Sequence, residues 1–303
     1  MSGSLQSCLF GKNRFFTLPA GADFLGALSD TLIEITDARN KPEALSDVLI
    51  FVPNRRSARA LAGRLFEGLG GQAILPPDIR PLGDAGDNDP ALLGELASVD
   101  ARPPMPPGAR LGALARLVNA WHTNRGETIT SAAAVAIAQK LAQLLDQAAL
   151  AGQVEWEKLT TLLDGSDLAQ HWQVSVDFMS IVMRLWPELL DENGFSDTNE
   201  QDRLAAEAMC ARWERSPPDT PVLIVGSTGS TPATRLLMQA AVKLPKGLVL
   251  FPGLDTENDA ITWQNILEAP SHPQHAFADT MQALGYPMTD IAPWPGFEND
   301  PTR

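Results

Sequence analysis

The chain is expected to fold as an α/β protein, with a parallel sheet interrupted by an all-helical insertion. Three observations predict this. Short apolar runs bounded by turn residues occur near both ends of the chain, and Val222 to Val225 is apolar throughout, as befits a strand covered on both faces. Each such run leads into a turn and then into apolar residues at helical spacing. Between the two α/β stretches the spacing is helical only. That middle section is bracketed by Arg102-Pro103-Pro104-Met105-Pro106-Pro107-Gly108 and by Ser216-Pro217-Pro218. Proline this dense continues neither a helix nor a central strand. The expected division is therefore 1–108, the first part of the α/β domain; 109–216, the helical insertion; and 217–303, the return of the α/β domain.

Phe15 to Leu18 reads as the first strand and Ala22 to Ile35 as a helix with Phe24, Leu25, Leu28 and Leu32 on one face. Asp47 to Val52 is a second strand, followed by Pro53-Asn54 and a helix from Ser57 to Leu69. Ala73 to Leu75 is read as a third strand. In the insertion, Leu111, Leu114, Leu117 and Val118 form one helical stripe, and Val135, Ile137, Ala138, Leu141, Leu144 and Leu145 another. Further helices are read around Trp156, from Val174 to Trp186, and from Leu204 to Trp213.

The 303 residues suffice for a large core, and 44% of them are hydrophobic. No apolar run is long enough to cross a bilayer, so no membrane association and a cytoplasmic location are expected. Two cysteines, Cys8 and Cys210, cannot build a disulfide framework or a four-thiolate cluster. The net charge of -14 argues against bulk electrostatic coating of nucleic acid and leaves room for a local basic groove.

Pro221 to Asp255 is the most informative stretch. An apolar strand runs into Gly226-Ser227-Thr228-Gly229-Ser230-Thr231, then a helix opened by Pro232, then the strand Leu248 to Phe251. This is the layout of a nucleotide-binding βαβ unit. A phosphate-binding loop needs Lys followed by Ser or Thr after its second glycine, and no Gly-Lys-Ser or Gly-Lys-Thr occurs in the chain.

An α/β layer interrupted by helices and then resumed resembles a superfamily-one helicase core, a RecA-like domain carrying a helical subdomain. Particular residues extend the resemblance. Phe16-Thr17-Leu18-Pro19-Ala20-Gly21, the run Leu45 to Leu61 with its Val52-Pro53-Asn54-Arg55-Arg56, and Leu75-Pro76-Pro77-Asp78-Ile79-Arg80-Pro81-Leu82-Gly83-Asp84 come first. Gly226 to Thr234 with Pro252-Gly253-Leu254-Asp255, His272-Pro273-Gln274, and Asp290-Ile291-Ala292-Pro293-Trp294 follow in order. Together they resemble the AddB family, B subunits of AddAB-type helicase–nucleases, in its alphaproteobacterial form. The resemblance implies a degenerate, non-hydrolysing helicase-like scaffold in double-strand break repair by homologous recombination. It implies an AddA-type helicase–nuclease subunit and DNA ends as partners. It also implies, for the whole family protein, a C-terminal nuclease domain with Mg²⁺ and a four-cysteine iron–sulfur cluster. No such nuclease block follows Trp294, so the chain is expected to be a fragment, not catalytic by itself and without a cofactor of its own.

Two residue sets are candidates for binding. Asn54, Arg55, Arg56, Arg59 and Arg64 form a basic cluster within a stretch, Val48 to Phe66, that contains no acid. They are read either as contacts to DNA phosphates, made without reading sequence, or as a solvated helix face paired to acids elsewhere. Gly226, Ser227, Thr228, Gly229, Ser230 and Thr231 are read either as a phosphate-binding turn or as an ordinary capped βα turn. Pro19 to Asp23, where a helicase carries its ATP loop, lacks the lysine and is read as structural. Asp255 is read as a turn residue or cap. His272 and His275 are read as surface loop, and Trp156, Trp172, Trp186 and Trp213 as core. Two rival functions remain: a small phosphate- or nucleotide-binding α/β enzyme, and a pure protein-interaction module.

Overall fold

A computed structural model describes residues 2–82, 102–151, 178–179, 181–255 and 257–295. In chain order the elements are α1 (Ser2–Leu9), β1 (Phe15–Leu18), α2 (Phe24–Thr36), β2 (Leu49–Val52), α3 (Arg55–Gly68), β3 (Asp78–Pro81), α4 (Pro107–Asn124), α5 (Ser131–Ala151), a π turn (Ile181–Leu185), α6 (Trp186–Asn193), α7 (Thr198–Arg215), β4 (Val222–Val225), α8 (Pro232–Ala241), β5 (Gly247–Pro252), α9 (Ala260–Leu267), α10 (His275–Leu284) and β6 (Ile291–Pro293). The chain divides into two compact units. One joins Met1–Glu95 to Ala206–Arg303, and the other is Leu96–Ala205.

The first unit carries one six-stranded sheet of order β3-β2-β4-β5-β1-β6. Every described pairing is parallel. This is the expected α/β class, a parallel sheet of the RecA-like kind with the helical unit inserted between β3 and β4. The apolar runs explain the arrangement. β1 and β4 are buried at every residue because helices cover both faces. Phe16, Leu18, Ile50, Val52, Leu223, Val225, Leu248 and Leu250 share a core with Leu9, Leu28, Leu32, Leu61 and Leu65 of α1, α2 and α3. Their neighbours along each strand point the other way. Phe51 meets Trp213 edge-on at 6.1 Å, and Phe251 meets Phe277 at 5.7 Å. Trp213 is therefore core, as expected.

The edges of the sheet depart from the sequence reading. The third strand is Asp78–Pro81, and Ala73 to Leu75 is irregular, with Leu75 57% exposed. β3 pairs with β2 alone. An edge position tolerates its Asp, Arg and Pro, which an apolar-run criterion passes over. β6 closes the other edge beside β1. The residue after it, Trp294, is 2% exposed and meets Phe16 edge-on at 5.6 Å. Its Nε1–H donates to Thr31 Oγ1 of α2 at 2.9 Å.

In the helical unit, Leu114 and Val118 of α4 pack with Ala138 and Leu141 of α5 and with Ile181, Trp186 and Leu190. Trp186 is thus core too, while Val135 is 37% exposed. Arg110 donates to Asp146 at 2.9 Å and to Asp197 at 3.2 Å, and Trp186 Nε1–H donates to the same Asp197 oxygen at 2.9 Å. Trp156 and Trp172 lie outside the described residues.

Candidate nucleic-acid interface

β2 leads by α3 towards one edge of the sheet, and its neighbour β4 leads by α8 towards the other. The carboxyl ends of these two strands thus form a topological switch point, where open α/β sheets bind ligands. Both predicted residue sets start there. Asn54 follows β2, and Gly226 follows β4. The approach is close: a β-carbon on Gly226 would lie 3.5 Å from Pro53 Cδ and 3.6 Å from the Phe24 ring. Gly226 has φ +73.

Asn54 is the N-cap of α3. Its side-chain oxygen accepts from Ser57 N at 2.9 Å and from Ser57 Oγ at 3.1 Å. Arg55, Arg56 and Arg59 stand exposed on the first turns of that helix. Arg56 and Arg59 have no ion-pair partner among the described residues. Arg64 differs. It pairs with Asp23 at 2.9 Å and reaches Glu67 at 3.9 Å. The stretch from Val48 to Phe66 holds no acid, but the fold brings one to it from α2. Arg64 also lies about 14 Å along the axis from Arg55, so the cluster separates into a terminal set and one engaged arginine.

Asp23 explains the turn after β1. It N-caps α2, accepting from Gly26 N at 3.1 Å, while its other oxygen holds Arg64. In a nucleotide site this helix N-terminus receives a phosphate. Here the chain's own carboxylate caps the terminus and is itself paired with Arg64. The residue is legible as a cap, three positions before Gly26, but its arginine partner lies 41 residues away.

The turn Gly226 to Thr231 is organised around its carbonyls. Thr280 Oγ1 of α10 donates to Thr228 O at 2.7 Å, and Arg235 Nε donates to Gly229 O at 2.7 Å. Arg235 is held in turn by Asp279. Thr231 caps α8 by accepting from Thr234 N at 3.1 Å, and Ser227 Oγ accepts from Gly229 N at 3.2 Å. A phosphate cradle presents its amides to the ligand. This turn instead directs two carbonyls into protein, which suits a structural joint. Neither Thr280 nor Arg235 was singled out by the sequence reading, and no local pattern marks them.

The remaining candidates resolve locally. Asp255 accepts from Glu257 N at 2.9 Å, a turn contact. His272 Nδ1 accepts from Gln274 N at 3.2 Å within a turn. His275, expected in a surface loop, is the first residue of α10, its ring 3.2 Å from Ile266 O; Pro273 precedes the helix and so does not break it. Among the described residues no group of three His, Cys, Asp or Glu side chains is placed to hold a metal ion. Two cysteines cannot supply the four thiolates of an iron–sulfur cluster, so this chain's residues do not fit that group. Cys210 is a poor nucleophile: burial above all, and then Glu214, push its thiol up to about 11. No described helix is long and apolar enough to cross a membrane.

Compared with known proteins, the chain matches no protein-family model and no curated protein.

Proposed function

We propose that the chain is a non-hydrolysing, helicase-like scaffold of the AddB type, which guides a DNA strand and docks on an AddA-type helicase–nuclease in double-strand break repair by homologous recombination. The observation that carries this reading is the pairing of two neighbouring sites at the sheet's carboxyl edge. At one, the helix terminus that would hold ATP phosphates is filled by Asp23. At the other, the terminus of α3 presents Arg56 and Arg59 to solvent in a chain of net charge -14. The first terminus is already capped from within the chain, and the second favours an anion. Guanidinium groups suit phosphate because they can bind it bidentately. Such contacts hold a strand without selecting its sequence. The cytoplasm, where chromosome ends are repaired, is the matching location.

The test is single-strand binding by the purified chain as a function of salt. The reading expects salt-dependent binding, and it expects Arg56→Gln with Arg59→Gln to lower the slope of log affinity against log salt by about 1.4, from roughly 0.7 per phosphate contact on single strands. An unchanged slope in that variant would remove the basis of the reading. The docking part is tested by affinity purification from the native host: recovery of a large ATP-dependent helicase–nuclease subunit supports it, and recovery of the chain alone counts against it.

A further inference from the structure

Phe66 stands 51% exposed on α3. A lone exposed aromatic is ordinary, but three further observations bear on this one. First, at about 100° per residue, Arg55, Arg59 and Phe66 fall within an arc of about 40°, with Gly63 and Arg56 completing the same outward face. The opposite face carries Leu61 and Leu65 into the core. Second, a β-carbon on Gly63 would meet nothing within 4 Å, so the face between the arginines and the ring is open. Third, the ring is seated. A β-carbon on Gly71 would lie 3.5 Å from Phe66 Cζ, in a turn where Gly71 has φ +77. The ring rests on that glycine turn along one side and is open on the other.

Building on the proposed DNA-guiding role, we infer that the outer face of α3 is a single-strand track, with phosphates held by Arg56 and Arg59 and a base stacked on Phe66. Sequence-tolerant single-strand sites combine cationic grooves with aromatic platforms, because every base has a π face. The separation along the axis from Arg59 to Phe66 is about 10 Å. That leaves room for a nucleotide over Gly63. Charge complementarity selects this occupant: Arg56 and Arg59 lack ion-pair partners among the described residues of an acidic chain. Phe66 is thereby assigned a role as a stacking residue, distinct from the phosphate contacts.

The experiment uses the full chain, a fluorescent oligothymidylate, and an abasic strand of the same length. Phe66→Ala is expected to weaken binding of oligothymidylate roughly tenfold with an unchanged salt slope, and to leave abasic binding as in the parent. Phe66→Trp is expected to retain affinity and to lose indole fluorescence on binding. Were Phe66→Ala to bind oligothymidylate like the parent while Arg56→Gln with Arg59→Gln weakened it, the stacking inference would be overturned and the guiding role would stand. Equal losses on both strands would also overturn it, since a base is then irrelevant. A parent chain that binds neither strand would overturn the guiding role, and the inference with it.

Discussion

Replacing Gly229 with Ala tests whether the β4–α8 turn is clamped by α10. Gly229 has φ +73, and a β-carbon there would lie 2.5 Å from Cγ2 and 2.7 Å from Oγ1 of Thr280. Thr280 is 0% exposed and its hydroxyl is committed to Thr228 O, so it cannot swing aside. Two costs arise. The left-handed backbone costs about 1–2 kcal/mol for any side chain, and the forced overlap adds about 1–3 kcal/mol. Gly21 separates the two, having φ +86 and nothing within 4 Å of its virtual β-carbon. Gly21→Ala should therefore show the backbone cost alone, and the unfolded-chain gain of about 0.4–1 kcal/mol is common to both variants. Urea unfolding followed by circular dichroism should place Gly229→Ala about 1–3 kcal/mol below Gly21→Ala, with the same dependence on denaturant. Thr280→Ser removes Cγ2 and keeps the hydroxyl. Combined with Gly229→Ala, it should recover part of the overlap cost, a favourable coupling of about 1 kcal/mol. Equal losses for the two glycine variants, or no coupling to Thr280→Ser, would refute the clamp.

Three further outcomes are expected. Asn54→Ala should cost about 1 kcal/mol by removing the α3 cap, whereas Asn54→Asp should keep stability in urea unfolding and weaken DNA binding through the charge it sets beside Arg55 and Arg56. Asp197→Asn should destabilise the helical unit by about 2–4 kcal/mol, because Arg110, only 12% exposed, then keeps a single carboxylate partner; limited proteolysis within 102–151 reads that loss. Cys210 holds its proton in the fold to about 11, against an ordinary 9.0, so the unfolded chain ionises first as pH rises. Stability from this thiol is intact below pH 9 and is lost between 9 and 11. Alkylation with iodoacetamide at pH 8 should accordingly modify exposed Cys8 before Cys210.

The parts of the fold that were legible are those where one local property decides. β2, β4 and β5 are apolar runs in the middle of the sheet, so burial on both faces appears directly in composition. β3 escapes that criterion because an edge strand pairs on one side only and needs no such run. α9 and α10 were not read at all. Their buried stripes, Trp263 and Ile266, then Phe277, Met281 and Leu284, are short and interrupted by polar residues. At the candidate interface, the arginine cluster stood out as a charge anomaly. Its division did not, since the Asp23–Arg64 pair spans 41 residues. The clamp on Gly229 spans 51 residues and joins packing to the hydrogen bonds of the Thr280 hydroxyl, which no local pattern announces.

The carboxylate of Asp23 has a consequence for how two helices are joined. An anion bound at a helix N-terminus joins its neighbours only for as long as it stays bound. In this chain α2 and α3 are bridged by Asp23 and Arg64, and both groups are covalently part of the chain. The pair can open in solvent, its side chains being about half exposed, but neither group can leave the chain. The join between α2 and α3 at this terminus is therefore made from within the chain and does not wait on a bound ligand.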